Sequence, residues 1–224
     1  MPDTGLMQVA VDAVVFTVRG DQLHLLLIKR KDAPFAQSYA IPGGFVRPDE
    51  ELEDAARREL AEETNVKDIF LQQLGAYGGV RRDPRGRVLS IAFLALIKGN
   101  QDLRAATDAA EAKWFPSDDL PKLAFDHATI IADALKQLQY EIQTTNIAFQ
   151  ILPEKFTLSQ LQQLYESILG KKFDKRNFRK RIKELSILQE TKETFMDGAH
   201  RPAQLYRFAS KRYAPIREKV HVLL

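Results

Sequence analysis

The stretch from Gly43 to Val66 constrains this chain more than any other. A Gly43-Gly44 turn leads to Glu50, and then to Arg58-Glu59-Leu60-Ala61-Glu62-Glu63 within a segment of helical apolar spacing. At roughly 100° per residue, Glu59 and Glu63 point the same way and Glu62 lies about a quarter-turn aside. Leu52, Ala55 and Ala56 fall on that side, whereas Glu53, Asp54, Arg57 and Ala61 face away. Three carboxylates therefore lie in or beside the stripe that faces the protein, where a merely solvated charged face would not be. Clustered glutamates repel one another and are costly to bury without a cation. A hard divalent cation, held by carboxylates, water and substrate phosphate together, is the ready partner. The competing reading is a surface helix laced with Glu/Arg pairs at i,i+4.

The rest of the chain bounds the setting. Its 224 residues suit one large domain or two modest ones, and 45% hydrophobic content is enough for a core. It has no cysteine, which excludes disulfides, thiolate metal sites and a cysteine nucleophile. No apolar run reaches the roughly 18 residues of a membrane-spanning helix. No basic-then-apolar leader is visible, so the expected location is the cytoplasm. The net charge of +3 is unevenly spread: from Gln150 onward there are 16 Lys and Arg against 8 Asp and Glu, so the excess of positive charge lies in the last third. An acidic first part and a basic last part predict two modules with different partners, divided as 1–145 and 146–224.

Val9 to Val18 and Leu23 to Lys29 read as strands around an Arg19–Gln22 turn. The acidic helix is expected from about Leu52 to Thr64. Ile69–Tyr77 and Val88–Ile97 read as a hairpin whose Asp83-Pro84-Arg85-Gly86 has the residues a type I turn prefers. Arg81, Arg82, Arg85 and Arg87 crowd that turn, as a solvated tip or as a diphosphate clamp suited to bidentate contacts. Lys113–Phe115 predicts a short strand, and Ala128–Gln143 a helix. Alternating helices and strands give an α/β or α+β sandwich for the first module.

The second module opens with Thr157-Leu158-Ser159-Gln160, a capping-box start for a helix that ends near Gly170. Asp174 is placed to cap another helix, running to about Leu185, and Ile187–Glu190 with Gln204–Phe208 predict a β-hairpin. Helix, turn, basic helix and hairpin is the order of a winged helix-turn-helix. The basic helix carries Lys175, Arg176, Asn177, Arg179, Lys180, Arg181 and Lys183, over an inward face of Phe178, Ile182 and Leu185. Its cations would neutralise phosphates, and Arg176, Asn177 or Arg179 would reach base edges. The alternative is a small basic subdomain that serves only dimer contacts.

Gly44, Glu50, Arg58-Glu59-Leu60, Glu62-Glu63 and Asn65-Val66 together resemble the Nudix box, and Tyr39–Gly44 resembles its lead-in. The one departure is Asn65 in place of Gly, where a helix end needs a residue tolerant of the left-handed region. Arg82–Arg87 and Leu123-Ala124-Phe125-Asp126-His127 resemble signatures of the Nudix-related transcriptional regulators of NAD metabolism. Asn177-Phe178-Arg179 and Arg201–Tyr206 are similar to that family's winged-helix segment, and together the likeness covers essentially the whole chain. The resemblance implies a Nudix α/β/α sandwich followed by a winged helix-turn-helix. It implies ADP-ribose as the ligand, with Gly43, Gly44, Arg82 and Arg85 at the ligand. It implies magnesium or manganese on Glu59, Glu62 and Glu63 with Glu50 assisting and Arg58 orienting them. It further implies a homodimer on a palindromic double-stranded operator, contacted through Lys175, Arg176, Asn177, Arg179, Lys180, Lys183 and Arg201. The box carboxylates also allow the reading of a magnesium-dependent ADP-ribose pyrophosphatase with a basic accessory domain. For that chemistry Asp102, Asp108 and Glu111 are candidate general bases, with no choice among them.

Overall fold

A strand of near-continuous apolar residues, β1 (Gln8–Arg19), forms the centre of the larger sheet. This computed structural model describes residues 6–67, 69–98, 109–196, 202–210 and 212–216. The chain divides into two compact units, Met1–Thr17 with His24–Gln137, and Val18–Leu23 with Leu138–Leu224.

In the first unit β1 is followed by β2 (Gln22–Arg30), β3 (Tyr39–Ala40), β4 (Gly43–Phe45), α1 (Leu52–Thr64), β5 (Phe70–Tyr77), β6 (Val88–Leu96) and β7 (Ala109–Pro116). The sheet runs β3-β2-β1-β6-β5, with β4 added to β1 and β7 to β2. β1 is parallel to β6, with Val11 opposite Ile91, and antiparallel to β4, with Asp12 opposite Gly43. β5 and β6 form the expected antiparallel hairpin. At its tip Gly86 N–H reaches the Asp83 carbonyl at 3.4 Å, closing the turn read from the sequence. Period-two alternation sends Val11, Ala13 and Val15 into clusters with Ala55, Ala56 and Leu60 of α1. Asp12 lies on the opposite face, where it meets His127 at the start of α2 (His127–Thr144).

The helix α1 has the bounds expected, and Asn65 ends it in the left-handed region at φ 62°. Two short strands before it, β3 and β4, were not foreseen. β7 is longer than its expected Lys113–Phe115 and pairs antiparallel with β2 along most of its length.

The second unit builds on β8 (Phe156–Thr157), α3 (Leu158–Leu169), α4 (Lys175–Glu184), β9 (Leu188–Phe195) and β10 (Ala203–Phe208). Thr157 and Gln160 form the anticipated capping box, and Gly170 ends α3 at φ 64°. The Asp174 carboxylate accepts from Asn177 N–H at 2.8 Å and caps α4. Tyr165 stands edge-on to Phe178 at 5.5 Å, and Phe156 packs on Phe208 at 5.0 Å, so aromatic pairs join α3 to α4 and β8 to β10. The hairpin gains a third strand that was not read from the sequence, in the order β8-β10-β9. Among the described residues no helix is long and apolar enough to cross a membrane.

Candidate functional site: an acidic and basic cleft and a basic helix

The glycine turn and α1 are built against each other. Gly43 N–H donates to Glu63 Oε2 at 2.9 Å. A Cβ on Gly44 would lie 2.3 to 2.6 Å from the Glu59 carboxylate, so that carboxylate occupies the space a side chain would fill. A Cβ on Gly43 would lie 2.2 Å from the Val11 carbonyl oxygen. Both glycines are therefore demanded by close approach rather than by backbone conformation.

Arg58 is the hub of the acidic wall. It donates to Glu50 from Nε at 2.9 Å and from Nη2 at 2.6 Å, to Glu59 from Nη1 at 2.7 Å, and to Glu62 from Nη1 at 3.2 Å. The hydrogen bonds from Arg58 hold the Glu50 carboxyl down at about 2. The same bonds, Glu50 first, raise the Arg58 guanidinium above its ordinary value. Glu62 stays half-exposed, while Glu63 is buried. Glu59, Glu62 and Glu63 line one cleft of about 430 Å³, and Arg30, Lys31, Arg47 and Arg85 line the same space.

By donor chemistry this wall suits a hard cation, because it offers carboxylate oxygens and the space Gly44 leaves for Glu59. In the present side-chain arrangement Glu50, Glu59 and Glu62 turn to Arg58, and among the described residues no three His, Asp or Glu side chains converge as a ready metal site.

The two arginines assigned to the ligand part company. Arg85 lines the cleft, where it is clamped by Asp83, with Nη2 to Oδ2 at 2.6 Å and Nε to Oδ1 at 3.0 Å. Burial pushes the Asp83 carboxyl up, but the hydrogen bonds from Arg85 outweigh it and hold the group below its ordinary value. Arg82 is not among the residues that line the cleft. Its side chain is 5% exposed and forks onto Asp126 at 2.8 and 3.0 Å, with Asp12 at 3.5 Å. Asp12 also accepts from the Ser90 hydroxyl, and its Oδ1 lies 3.7 Å from His127 Nε2. Ile41 N–H donates to His127 Nδ1 at 3.1 Å, and burial lowers the pKa of that imidazole. A neutral His127 thus carries its proton on Nε2, toward Asp12. Of the candidate bases, Asp102 and Asp108 lie outside the described residues, and Glu111 accepts from the Tyr39 hydroxyl at 3.1 Å.

On α4, Phe178 and Ile182 are buried, and Lys175, Arg176, Asn177, Lys180 and Lys183 form the exposed face. Arg179 is half-buried and donates to the Ser159 hydroxyl at 3.3 Å, which ties it to α3. Lys183 pairs with Glu190 of β9 at 3.2 Å, and Tyr206 donates to the same carboxylate at 3.0 Å. These bonds, Tyr206 first, lower the Glu190 carboxyl. Arg201 lies outside the described residues.

Two family models match. That of the NUDIX domain covers residues 7–134, and that of the NrtR DNA-binding winged helix domain covers residues 148–208. The ADPR responsive transcriptional repressor NtrR of Acinetobacter baylyi is 36% identical over 207 residues, 91% of this chain and 82% of that protein. Shewanella oneidensis NrtR complexed with a 27mer DNA superposes with a TM-score of 0.75 at 33% identity, over 89% of this chain and 93% of that one. The NUDIX domain of the same Shewanella protein, complexed with ADP ribose, superposes with a TM-score of 0.56 at 36% identity, over 60% of this chain and 90% of that one. Nudix hydrolases generally use divalent metals.

Proposed function

The chain belongs to the NrtR family, in which a Nudix domain is joined to a DNA-binding winged helix, and from that premise we propose that it is an ADP-ribose-responsive transcriptional repressor of NAD metabolism genes. The ligand module is 1–145 and the DNA module 146–224. The observation that carries the reading is the coexistence of two sites: a 430 Å³ cleft lined by both carboxylates and guanidiniums, and a helix that exposes Lys175, Arg176, Asn177, Lys180 and Lys183.

The cleft takes ADP-ribose between Gly43, Gly44 and Arg85. Glu59, Glu62 and Glu63 hold magnesium, whose charge offsets theirs and that of the diphosphate. Arg58, which also lines the cleft, fixes Glu50, Glu59 and Glu62 by charge-assisted hydrogen bonds and so orients the carboxylates. In the DNA module, the α4 cations neutralise phosphates and Arg176 and Asn177 read base edges. Arg179 acts partly through α3, because Ser159 engages its guanidinium. A homodimer places two such helices in successive major grooves of a palindromic operator in the cytoplasm. ADP-ribose releases the DNA by binding the free conformation more tightly than the DNA-bound one.

A second reading, a magnesium-dependent ADP-ribose pyrophosphatase, is supported by one observation: all three carboxylates of the α1 stripe line the cleft. One titration separates the two. The protein is mixed at fixed salt with DNA from upstream of its own coding sequence, with and without ADP-ribose and magnesium, and the same tubes are assayed for AMP and ribose 5-phosphate. The repressor reading requires a specific complex that intact ADP-ribose dissolves. It also requires Arg176→Ala to weaken that complex about 5- to 150-fold, the range for one lost bidentate base contact. Rapid AMP formation with no specific DNA complex would transfer the chain to the hydrolases.

A further inference from the structure

We infer that Glu190 is a positioning residue for DNA binding: with the Tyr206 hydroxyl and the Lys183 ammonium it locks the β9–β10 hairpin to the last turn of α4, and Lys183 braces that hairpin instead of neutralising a phosphate. The inference rests on α4 being the DNA-binding helix, and it gives Lys183 a role other than the one its charge suggested.

Three elements meet at one carboxylate. Lys183 lies in the last turn of α4, Glu190 is the third residue of β9, and Tyr206 belongs to β10. Glu190 stands opposite Tyr206 in the antiparallel ladder, so their side chains leave the same face of the sheet. Lys183 Nζ donates to Glu190 Oε1 at 3.2 Å, and the Tyr206 hydroxyl donates to the same oxygen at 3.0 Å. The Lys183 ammonium also lies 5.7 Å from the Tyr206 ring centroid. Tyr206 is buried, and a buried tyrosine needs a partner for its hydroxyl. The ladder shifts register between Gln204 and Tyr206. Gln204 Nε2 spans that shift, donating to the Thr191 carbonyl at 2.6 Å and to the Glu193 carbonyl at 3.2 Å. The hairpin is thus held within itself and, through Glu190, to the helix.

A bare carboxylate beside a helix that binds phosphates would repel the DNA. Here it is matched: Tyr206 and then Lys183 hold the Glu190 carboxyl below its ordinary value, and Glu190 first raises the Lys183 ammonium above its own. Each ion keeps the other charged, and the pair is neutral toward the polyanion. Lys183 also stands at the opposite end of α4 from Asp174, whereas a recognition helix meets base edges with its N-terminal residues. An exposed ion pair adds little to stability. Its effect lies in fixing helix and hairpin in one geometry before DNA arrives, so that less remains to be ordered on binding.

The test uses the full chain and DNA from upstream of its own coding sequence. Gel shifts across a salt series would compare the wild type with Glu190→Gln, Lys183→Gln, the two together, and Glu184→Gln, which removes the same charge from the end of α4 outside the cluster. Removing an acid should tighten a complex with a polyanion, so the sign of the Glu190→Gln effect decides. The brace predicts that Glu190→Gln weakens the specific complex about 3- to 10-fold, within the range of one lost hydrogen bond, while Glu184→Gln does not weaken it. Lys183→Gln should weaken it by a similar factor with the salt slope unchanged, and the double variant should bind no worse than either single one. A phosphate contact at Lys183 predicts instead a slope shallower by about 0.9 in Lys183→Gln, and that result overturns the inference. Glu190→Gln binding as tightly as wild type or tighter also overturns it, as does an equal loss in Glu184→Gln. Circular-dichroism melting checks that each variant is folded. If Glu190→Gln melts lower than wild type, Tyr206→Phe carries the test, because it keeps the ring and loses only the hydroxyl; wild-type affinity in it overturns the brace. A wild type that forms no specific complex sinks the DNA reading and the brace together, whereas a specific complex indifferent to these variants sinks the brace alone.

Discussion

Gly43 and Gly44 are neighbours on one strand, yet the same added methyl should fail differently at each. On Gly43 it would lie 2.2 Å from the Val11 carbonyl, 2.7 Å from Asp12 Oδ1 and 3.0 Å from Asp12 Cα. Val11 and Asp12 belong to β1, which is paired with β6 and β4, so neither can retreat without breaking sheet hydrogen bonds. Overpacking against fixed neighbours costs about 1–3 kcal/mol, and a backbone clash belongs at the top of that range. For a chain of this length about 3 kcal/mol corresponds to a melting shift of roughly 6–12 °C. On Gly44 the three atoms nearest the methyl all belong to the Glu59 carboxylate, at 2.3, 2.4 and 2.6 Å. Glu59 can rotate aside at the loss of its 2.7 Å bond from Arg58, which retains Glu50 and Glu62. A charged hydrogen bond contributes about 1.5–3 kcal/mol, and rehydration of the freed carboxylate offsets part of it, so Gly44→Ala should melt within roughly 6 °C of wild type. Its defect should lie in ligand binding, because Glu59 is turned out of its seat beside the turn. Trp114 is the chain's one tryptophan and is buried in β7 of the same unit, so its emission reports this unfolding directly. Gly43→Ala and Gly44→Ala melting alike, or Gly44→Ala binding magnesium and ADP-ribose like wild type, would refute the reasoning.

Two further outcomes follow from the buried and the half-buried arginine. Arg82→Met should destabilise the first unit by about 3–5 kcal/mol, since it strands Asp12 and Asp126 without their cation. A urea titration followed by Trp114 emission checks this, and a loss of ADP-ribose affinity with unchanged stability would return Arg82 to the ligand. Glu50 titrates at about 2 in the folded chain against an ordinary 4.5, so its contribution is complete above 4.5 and is lost as pH falls from there through 2. Glu50→Gln should therefore flatten the acid limb of stability in that window; an acid limb identical to wild type would show that Arg58 gains nothing from this carboxylate.

The features read correctly from sequence are those whose cause is local. Leu52–Thr64 takes its bounds from its own apolar spacing and from Asn65, which accepts the left-handed region. Thr157 and Gln160 satisfy each other's backbone within one turn, so the start of α3 was legible before any tertiary contact was known. The short strands were not. Tyr39–Ala40, Gly43–Phe45 and Phe156–Thr157 exist because β2, β1 and β10 supply their partners, and two or three residues carry no period of their own. β7 was read short at Lys113–Phe115 because the alanines before it have weak strand preference, and β2 supplies the register that extends it.

The arginine cluster shows where reading by residue type stops. Arg82 and Arg85 lie in one turn, three positions apart, and nothing in that segment says which one meets an anion from solution. Their carboxylate partners differ: Asp126 holds Arg82 across 44 residues, whereas Asp83 of the same turn holds Arg85, which lines the cleft. One signal was available. Asp12 is the single charged residue between Val9 and Val18, in a strand otherwise apolar enough to be buried on both faces. A carboxylate in such a strand cannot stay ionised without a cation and donors around it. Arg82, Ser90 and His127 answer that need, and Arg82 and His127 come from the two segments that carry the family signatures.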